Sequence, residues 1–241
     1  MAQLPFDWSK LDRSTLYSMF YSLNSEIVGK ELSPNQLHKR ISKHVKAHLP
    51  IKIRKCVYAP TEKGFVFMGG VYYSHLDKKG VPAIEVNFNY NPTDRKLKLT
   101  QYRFRRMAVR FADVMCHEMI HMRQFRARNF KDIPGYQSTA EYAKDRKKQE
   151  YYGDRDEMGA HAFNMACDMI DMFGWDPKSI ANYLDKKQPN RKRKTMWQRF
   201  LAAFDNNHNH PKVRQMKLKI LRQLEYAYIG KPFHTNNHLT Y

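Results

Sequence analysis

Apolar and polar residues alternate along this chain with a period that changes several times, and each change predicts a new element. Leu16, Met19, Phe20 and Leu23 recur at three- and four-residue steps. They predict a helix from about Asp12 to Val28, with Asp12 or Ser14 as its cap. Ser33 followed by Pro34 is a helix opening, because proline lacks only an N–H that the first turn leaves unbonded anyway. Leu37, Ile41, Val45 and Leu49 form the apolar stripe of that second helix, and Pro50 stops it. The period then falls to two. Ile51 to Tyr58 alternates apolar and basic residues, and Gly64 to Tyr73 is rich in aromatic and β-branched residues with a bend expected at Gly69-Gly70. Val81 to Tyr90 alternates again, so three strands are predicted. Pro82 cannot donate to a ladder and therefore points to an edge position for the third strand, where an extended peptide could pair with it.

Helical spacing returns at Thr100, a capping residue, and continues to about Asn129. Ala108, Phe111, Ala112, Met115, Met119 and Met122 make one stripe, while His117, His121 and Phe125 lie on another face. The many arginines of this stretch, Arg103, Arg110 and Arg126 among them, read as a solvated remainder. A short helix is expected around Thr139 to Lys148. A longer one opens on Asp154, Asp156 and Glu157, whose charges suit the positive end of a helix dipole, with Ala160, Phe163, Cys167 and Ile170 as its core face. Asp176-Pro177 opens a further helix, and Val213, Met216, Ile220, Leu221 and Leu224 stripe the last. The expected fold is α+β: a small, mostly antiparallel sheet, a long histidine-bearing helix and a later acid-opened helix, with a basic helical extension. The expected division is residues 1–175 and 176–241.

Charge changes the list of partners. Lys+Arg 43 against Asp+Glu 23 leaves a formal +20, more than solubility requires, so an anionic partner, nucleic acid first, is expected. The densest positive run includes Arg191, Lys192, Arg193 and Lys194, and Trp197, Phe200 and Phe204 follow at helical intervals. Basic residues beside aromatics suit phosphate contact with base stacking, although aromatics at these steps also describe a helix's buried face. Cys56, Cys116 and Cys167 are widely separated and odd in number, which excludes a readable disulfide framework or zinc ribbon and favours a reducing compartment. With no apolar run long enough for a signal peptide or a membrane span, an intracellular, cytoplasmic protein without membrane contact is expected.

The candidate chemistry lies in His117-Glu118-Met119-Ile120-His121. Two histidines four apart project from one helix face, as two ligands of one tetrahedral metal must, and the glutamate beside the first can accept a proton from the attacking water. A catalytic zinc takes a third protein ligand and keeps one position open. Glu157 is the leading candidate, since it starts a helix, is followed by small residues and completes a His₂Glu set. His161, one turn later, competes with it, and Asp154, Asp156 and Glu150 trail. Tyr151 and Tyr152 lie just upstream, where a phenol could hydrogen-bond the oxyanion of a tetrahedral intermediate, although aromatic packing is the commoner role. His38, His44 and His48 share their helix with lysines and read as a basic face, and His208 and His210 lack a third partner.

The order of an extended segment (Ile84 to Phe88), a helix with His117-Glu118-Met119-Ile120-His121 and a later helix reading Glu157-Met158-Gly159-Ala160-His161-Ala162-Phe163 resembles the gluzincin-type metallopeptidases. It is most similar to the ImmA/IrrE-like and phage-encoded ones, whose second helix reads E-x-x-A-x-x-F. The resemblance covers roughly Val81 to Phe173. It implies a zincin-like fold, a peptide or protein substrate, Zn²⁺ bound by His117, His121 and Glu157, and Glu118 as general base; a phage-encoded protein would work in the host cytoplasm. The 36 positions from His121 to Glu157 exceed the spacing of compact gluzincins and leave the third ligand open between Glu157 and His161.

Overall fold

The computed structural model describes residues 6–59, 61–186 and 195–230. It is an α+β structure that divides into two compact units, Met1–Lys131 and Asp132–Tyr241. Among the described residues no helix is long and apolar enough to cross a membrane.

The first unit begins with α1 (Arg13–Tyr21), whose cap Asp12 accepts from the Thr15 amide. The expected run to Val28 is broken at Ser22 and Leu23, after which the four-residue α2 (Asn24–Ile27) brings Ile27 into the core. Helix α3 (Pro34–His48) has a full capping box, in which Ser33 and Gln36 each bond the other's amide, and buries Leu37, Ile41 and Val45. Glu31–Leu32 (β1) and Leu97–Lys98 (β5) form a two-stranded antiparallel pair. The main sheet has three strands, β2 (Lys52–Val57), β3 (Val66–Tyr72) and β4 (Ile84–Tyr90), in the order β2-β4-β3.

This sheet corrects three expectations. It is mixed, because β2 runs parallel to β4 while β3 runs antiparallel to it. The third strand is central rather than at an edge: Pro82 precedes Ile84, where the ladder starts, so its missing donor constrains nothing within the strand. An apolar residue at every second position then lets Ile84, Val86, Phe88 and Tyr90 bury one face completely. Gly69 and Gly70 make no bend, since β3 keeps unbroken register with β4 through Gly69↔Asn87 and Gly70↔Val86.

Helix α4 (Ser74–Asp77) leads from β3 towards β4, and α5 (Gln101–Ala127), capped by Thr100, packs along the sheet and against α1. Its stripe of Phe104, Ala108, Phe111, Ala112, Met115, Met119 and Met122 is buried. It ends where Asn129 and Phe130 take positive φ values of 54° and 59°. Three of its arginines are not simply solvated. Arg103 lies over the Phe65 ring, Arg110 donates to the Met68 carbonyl, and Arg126 grips the Asp77 carboxylate with two hydrogen bonds.

The second unit holds α6 (Ala143–Gly153), α7 (Arg155–Phe173), α8 (Pro177–Asp185), α9 (Met196–Ala203) and α10 (Pro211–Gly230). Helix α6 starts later than expected, because the Ser138 hydroxyl binds the Ala140 amide and the Gln149 side chain and so keeps 138–140 in a turn. Met158, Ala162, Met165, Ala166 and Met169 of α7 share one core with Ile180, Leu184, Trp197, Phe200, Phe204, Val213, Met216 and Ile220. Of the expected core face of α7, Ala160, Cys167 and Ile170 are buried and only Phe163 is half-buried. The helices on either side of residue 175 therefore belong to a single apolar cluster.

Candidate metal centre

The two histidines of α5 stand one turn apart, with Nε2 of His117 and Nε2 of His121 separated by 3.1 Å. The helix cannot roll to move them, because its opposite stripe is locked into the first unit's core. On the other side of His121, Nδ1 lies 3.1 Å from Oε1 of Gln124. A carboxamide oxygen only accepts, so this bond holds the proton on Nδ1 and leaves the lone pair on Nε2. That is the tautomer a metal requires at Nε2.

Glu118 is 6% exposed and His121 9%. The room for the Glu118 side chain comes from β3. A Cβ on Gly70 would stand 2.7 Å from Oε1 of Glu118, 2.8 Å from its Cγ and 2.7 Å from Cγ1 of Val114. Glycine at this position thus permits the strand to close on the helix where the carboxylate sits. One turn before His117, Asp113 accepts from Nε of Arg13 at 2.7 Å, a buried ion pair that fastens α1 to α5. Burial pushes the neighbouring Cys116 thiol up to about 12, so it is protonated at neutral pH.

Helix α7 begins with the Asp154 side chain accepting from the amides of Asp156 and Glu157. Cap duty occupies Asp154 and fixes the first turn, which carries Glu157. Oε2 of Glu157 lies 3.4 Å from Nε2 of His161, one turn on, and that nitrogen is 3.2 Å from the Tyr151 hydroxyl. His161 is buried and sits between the glutamate and the phenol. Tyr151 is 48% exposed, whereas the Tyr152 ring packs against both His161 and Phe200. Burial raises the Tyr152 phenol above its ordinary value, and the Glu157 charge adds to the shift.

His117, His121 and Glu157 form a group that could hold a metal ion. One ligand atom from each lies within 4.8 Å of the others, and no other group of three histidine, cysteine or acidic side chains does so among the described residues. His161, Glu150, Asp156 and the histidine pair at 208 and 210 are outside it. Arg191, Lys192, Arg193 and Lys194 lie outside the described residues. Trp197, Phe200 and Phe204, which follow them, are buried core and offer no face to a base.

Sequence reasoning missed Gly70 and Gln124. Gln124 stands three residues after His121, a spacing at which helical side chains meet, and that signal was readable. The sequence marks Gly69-Gly70 only as a bend, and the role of Gly70 comes from the packing of β3 on α5. Compared with known protein families, with curated proteins and with solved structures, the chain matches none.

Proposed function

We propose that the protein is a zinc-dependent peptidase in which His117, His121 and Glu157 hold the metal and Glu118 is the general base. The observation that carries this reading is the convergence of two imidazole nitrogens and a carboxylate oxygen within 4.8 Å, at residues set in the H-E-x-x-H pattern. The donor set suits zinc, which takes nitrogen and oxygen ligands together and keeps a fourth position for catalysis. Two nitrogens each about 2.05 Å from one tetrahedral ion stand roughly 3.3 Å apart. The Nε2 atoms here are 3.1 Å apart, and the Gln124 bond directs the His121 lone pair to the same side.

When bound, zinc supplies a Lewis acid that acidifies a water and polarises a carbonyl. The remaining steps belong to the chain. Glu118, adjacent to the first histidine and shielded by Gly70 and Val114, accepts the proton of the attacking water and delivers it to the leaving amine. Gln124 holds the ring of His121, and His161 holds Glu157 through their 3.4 Å contact. The exposed Tyr151 hydroxyl, oriented by His161, is the group available to hydrogen-bond a developing oxyanion. Tyr152 serves packing.

The test is metal analysis of the wild-type chain and of Glu118→Gln, alongside hydrolysis of an unfolded protein substrate. One zinc per chain in both, with hydrolysis lost only in the variant, is expected. Wild-type protein that carries no stoichiometric zinc after purification in zinc-containing buffer would overturn the reading.

A further inference from the structure

Helix α5 carries its charge unevenly. Residues 101–112 hold four arginines and no aspartate or glutamate. Three of the four share a face with the histidines. At about 3.6 residues per turn, Arg103, Arg106, Arg110, Val114, His117 and His121 fall within a sector of about 80°. The buried stripe from Phe104 to Met122 lies to one side of that sector, so arginines and histidines are set out along one line of the first unit.

Each of the three arginines is held by an aromatic ring. Arg103 lies 4.4 Å from the ring centroid of Phe65, Arg106 5.8 Å from that of Tyr102 and Arg110 5.9 Å from that of Phe67. Two are also pinned to backbone, since Arg103 donates from Nη1 to the Gly64 carbonyl and Arg110 from Nε to that of Met68. Strand β3 and the turn before it thus follow the line along the helix, with Gly64 at Arg103, Met68 at Arg110 and Gly70 at Glu118. A ring and one backbone bond fix a guanidinium while using few of its five N–H donors. No carboxylate pairs with any of the three among the described residues. Asp94 accepts from the Gly64 amide, and Asp113, the first acid of α5, is taken by Arg13. A fixed fork with donors to spare suits a bidentate carboxylate. Phe67 and Tyr102 are each 51% exposed, so apolar rings stand beside these forks.

We infer that this stripe selects the substrate: the protein takes extended segments with acidic side chains on one side of the bond to be cut, received by Arg103, Arg106 and Arg110, and with an apolar side chain against Phe67 or Tyr102. The inference rests on the peptidase reading of the same helix face and names its substrate class. The helix rise puts Arg110, Arg106 and Arg103 about 10, 16 and 21 Å from His117 along the axis, which an extended chain covers in about three, five and six residues. An acidic peptide is favoured over a nucleic acid by what stands at the end of the line. A phosphate backbone would carry its own charge to the Glu118 carboxylate, whereas a peptide brings a neutral amide there.

The experiment has two arms on the full chain. In the first, wild type, Arg106→Ala/Arg110→Ala and Arg106→Glu/Arg110→Glu digest a proteome-derived peptide library, and mass spectrometry reads the residues around every cut. Arg103 is left in place because it braces Gly64. Arg106→Glu alone, at an exposed residue that makes no backbone bond, serves where a double variant does not fold. Wild type should enrich aspartate and glutamate at the third to sixth positions on one side of the cut, the alanine variant should flatten that preference, and the glutamate variants should turn it towards lysine and arginine. Acid frequencies that are flat in wild type, or the same in all variants, overturn the inference. In the second arm, anisotropy follows binding of labelled twelve-residue Glu/Phe and Lys/Phe peptides to Glu118→Gln, with and without Arg106→Ala/Arg110→Ala. The acidic peptide should bind about tenfold tighter than its lysine counterpart, as two exposed ion pairs allow, and the difference should vanish without the two arginines. Equal binding of the two peptides overturns the inference, as does stronger displacement of the acidic peptide by oligothymidylate than by its own unlabelled form, which would assign the stripe to nucleic acid. Cleavage without acid enrichment sinks the inference and not the peptidase reading, whereas acid-selective binding with no cleavage in the library sinks the peptidase reading and not the recognition of acidic chains.

Discussion

Gly70→Ala is a one-carbon perturbation whose consequence can be worked from the structure. The new Cβ would sit 2.7 Å from both Oε1 of Glu118 and Cγ1 of Val114, where ordinary contact begins at 3.4 Å, so about 0.7 Å must be recovered. Val114 is 4% exposed and stiff at χ1, and the Cγ of Glu118, at 2.8 Å, cannot swing clear as a side-chain tip could. Overpacking of this kind costs about 1–3 kcal/mol. The carboxylate absorbs part of the shift. At about a hundredfold in rate per ångström of misplacement, the full 0.7 Å would lower turnover roughly 25-fold, so the share taken by the carboxylate sets a loss of up to about that size. Gly69→Ala is the matched control, because a Cβ there meets nothing within 4 Å. Urea unfolding followed by circular dichroism, metal analysis and peptidase assay on both variants are the measurements. Gly70→Ala should be less stable and slower while keeping its zinc, and Val114→Ala in the same chain should recover part of both losses by vacating half of the clash. A Gly70→Ala protein as stable and as active as the wild type would refute the argument that this glycine makes the space for Glu118.

Gln124→Leu removes the partner of His121 Nδ1 and frees the ring to take the other tautomer; zinc affinity, measured by competition with a chromophoric chelator, should fall about 10- to 100-fold. An unaltered affinity would show that Gln124 does not position the ligand. Arg13→Met leaves Asp113 charged and buried and should destabilise the chain by about 3–5 kcal/mol in urea, while adding Asp113→Leu should recover most of the loss; equal instability of the single and double variants would contradict this. Burial, helped by the Lys55 and Lys46 charges, lowers the pKa of His38 below its ordinary 6.5. The unfolded chain therefore binds this proton more readily than the folded one. The contribution of His38 to stability is complete above pH 6.5 and is lost as pH falls through its folded-state value. Urea midpoints should drop between pH 7.5 and pH 5, and less so in His38→Asn; parallel curves for the two proteins would exclude His38 as a source.

The helices were legible because their stabilising signals are local. Ser33, Pro34 and Gln36 specify the start of α3 within four residues, and Leu37, Ile41 and Val45 repeat its buried face. The stripe of α5 likewise separated the core side from the histidines. The sheet was less legible for a physical reason: strand order depends on which faces are covered, and that information is not contained in any one strand. Pro82 suggested an edge, and the alternation of Ile84, Val86, Phe88 and Tyr90 reports only that one face is covered, which edge and central strands share; pairing with both β2 and β3 makes β4 central. Proline two residues before a ladder disfavours nothing inside it.

The competition between Glu157 and His161 shows the same limit at the scale of a site. Both lie on one face of α7, and spacing cannot choose between side chains one turn apart. What separates them is occupancy. Nε2 of His161 is within 3.2 Å of the Tyr151 hydroxyl and 3.4 Å of Glu157, while the ring packs against Tyr152, so the histidine already holds two neighbours in place. Glu157 stands in the first turn, where the helix dipole favours its charge and Asp154 has taken over the cap. Glu157, relieved of cap duty, stands in the group with His117 and His121, and the His161 imidazole 3.4 Å away is placed to orient its carboxylate. The acidic opening of α7, which as a sequence pattern means only a good helix start, thereby includes one residue that caps, Asp154, and one, Glu157, that joins His117 and His121 in a group that could hold a metal ion.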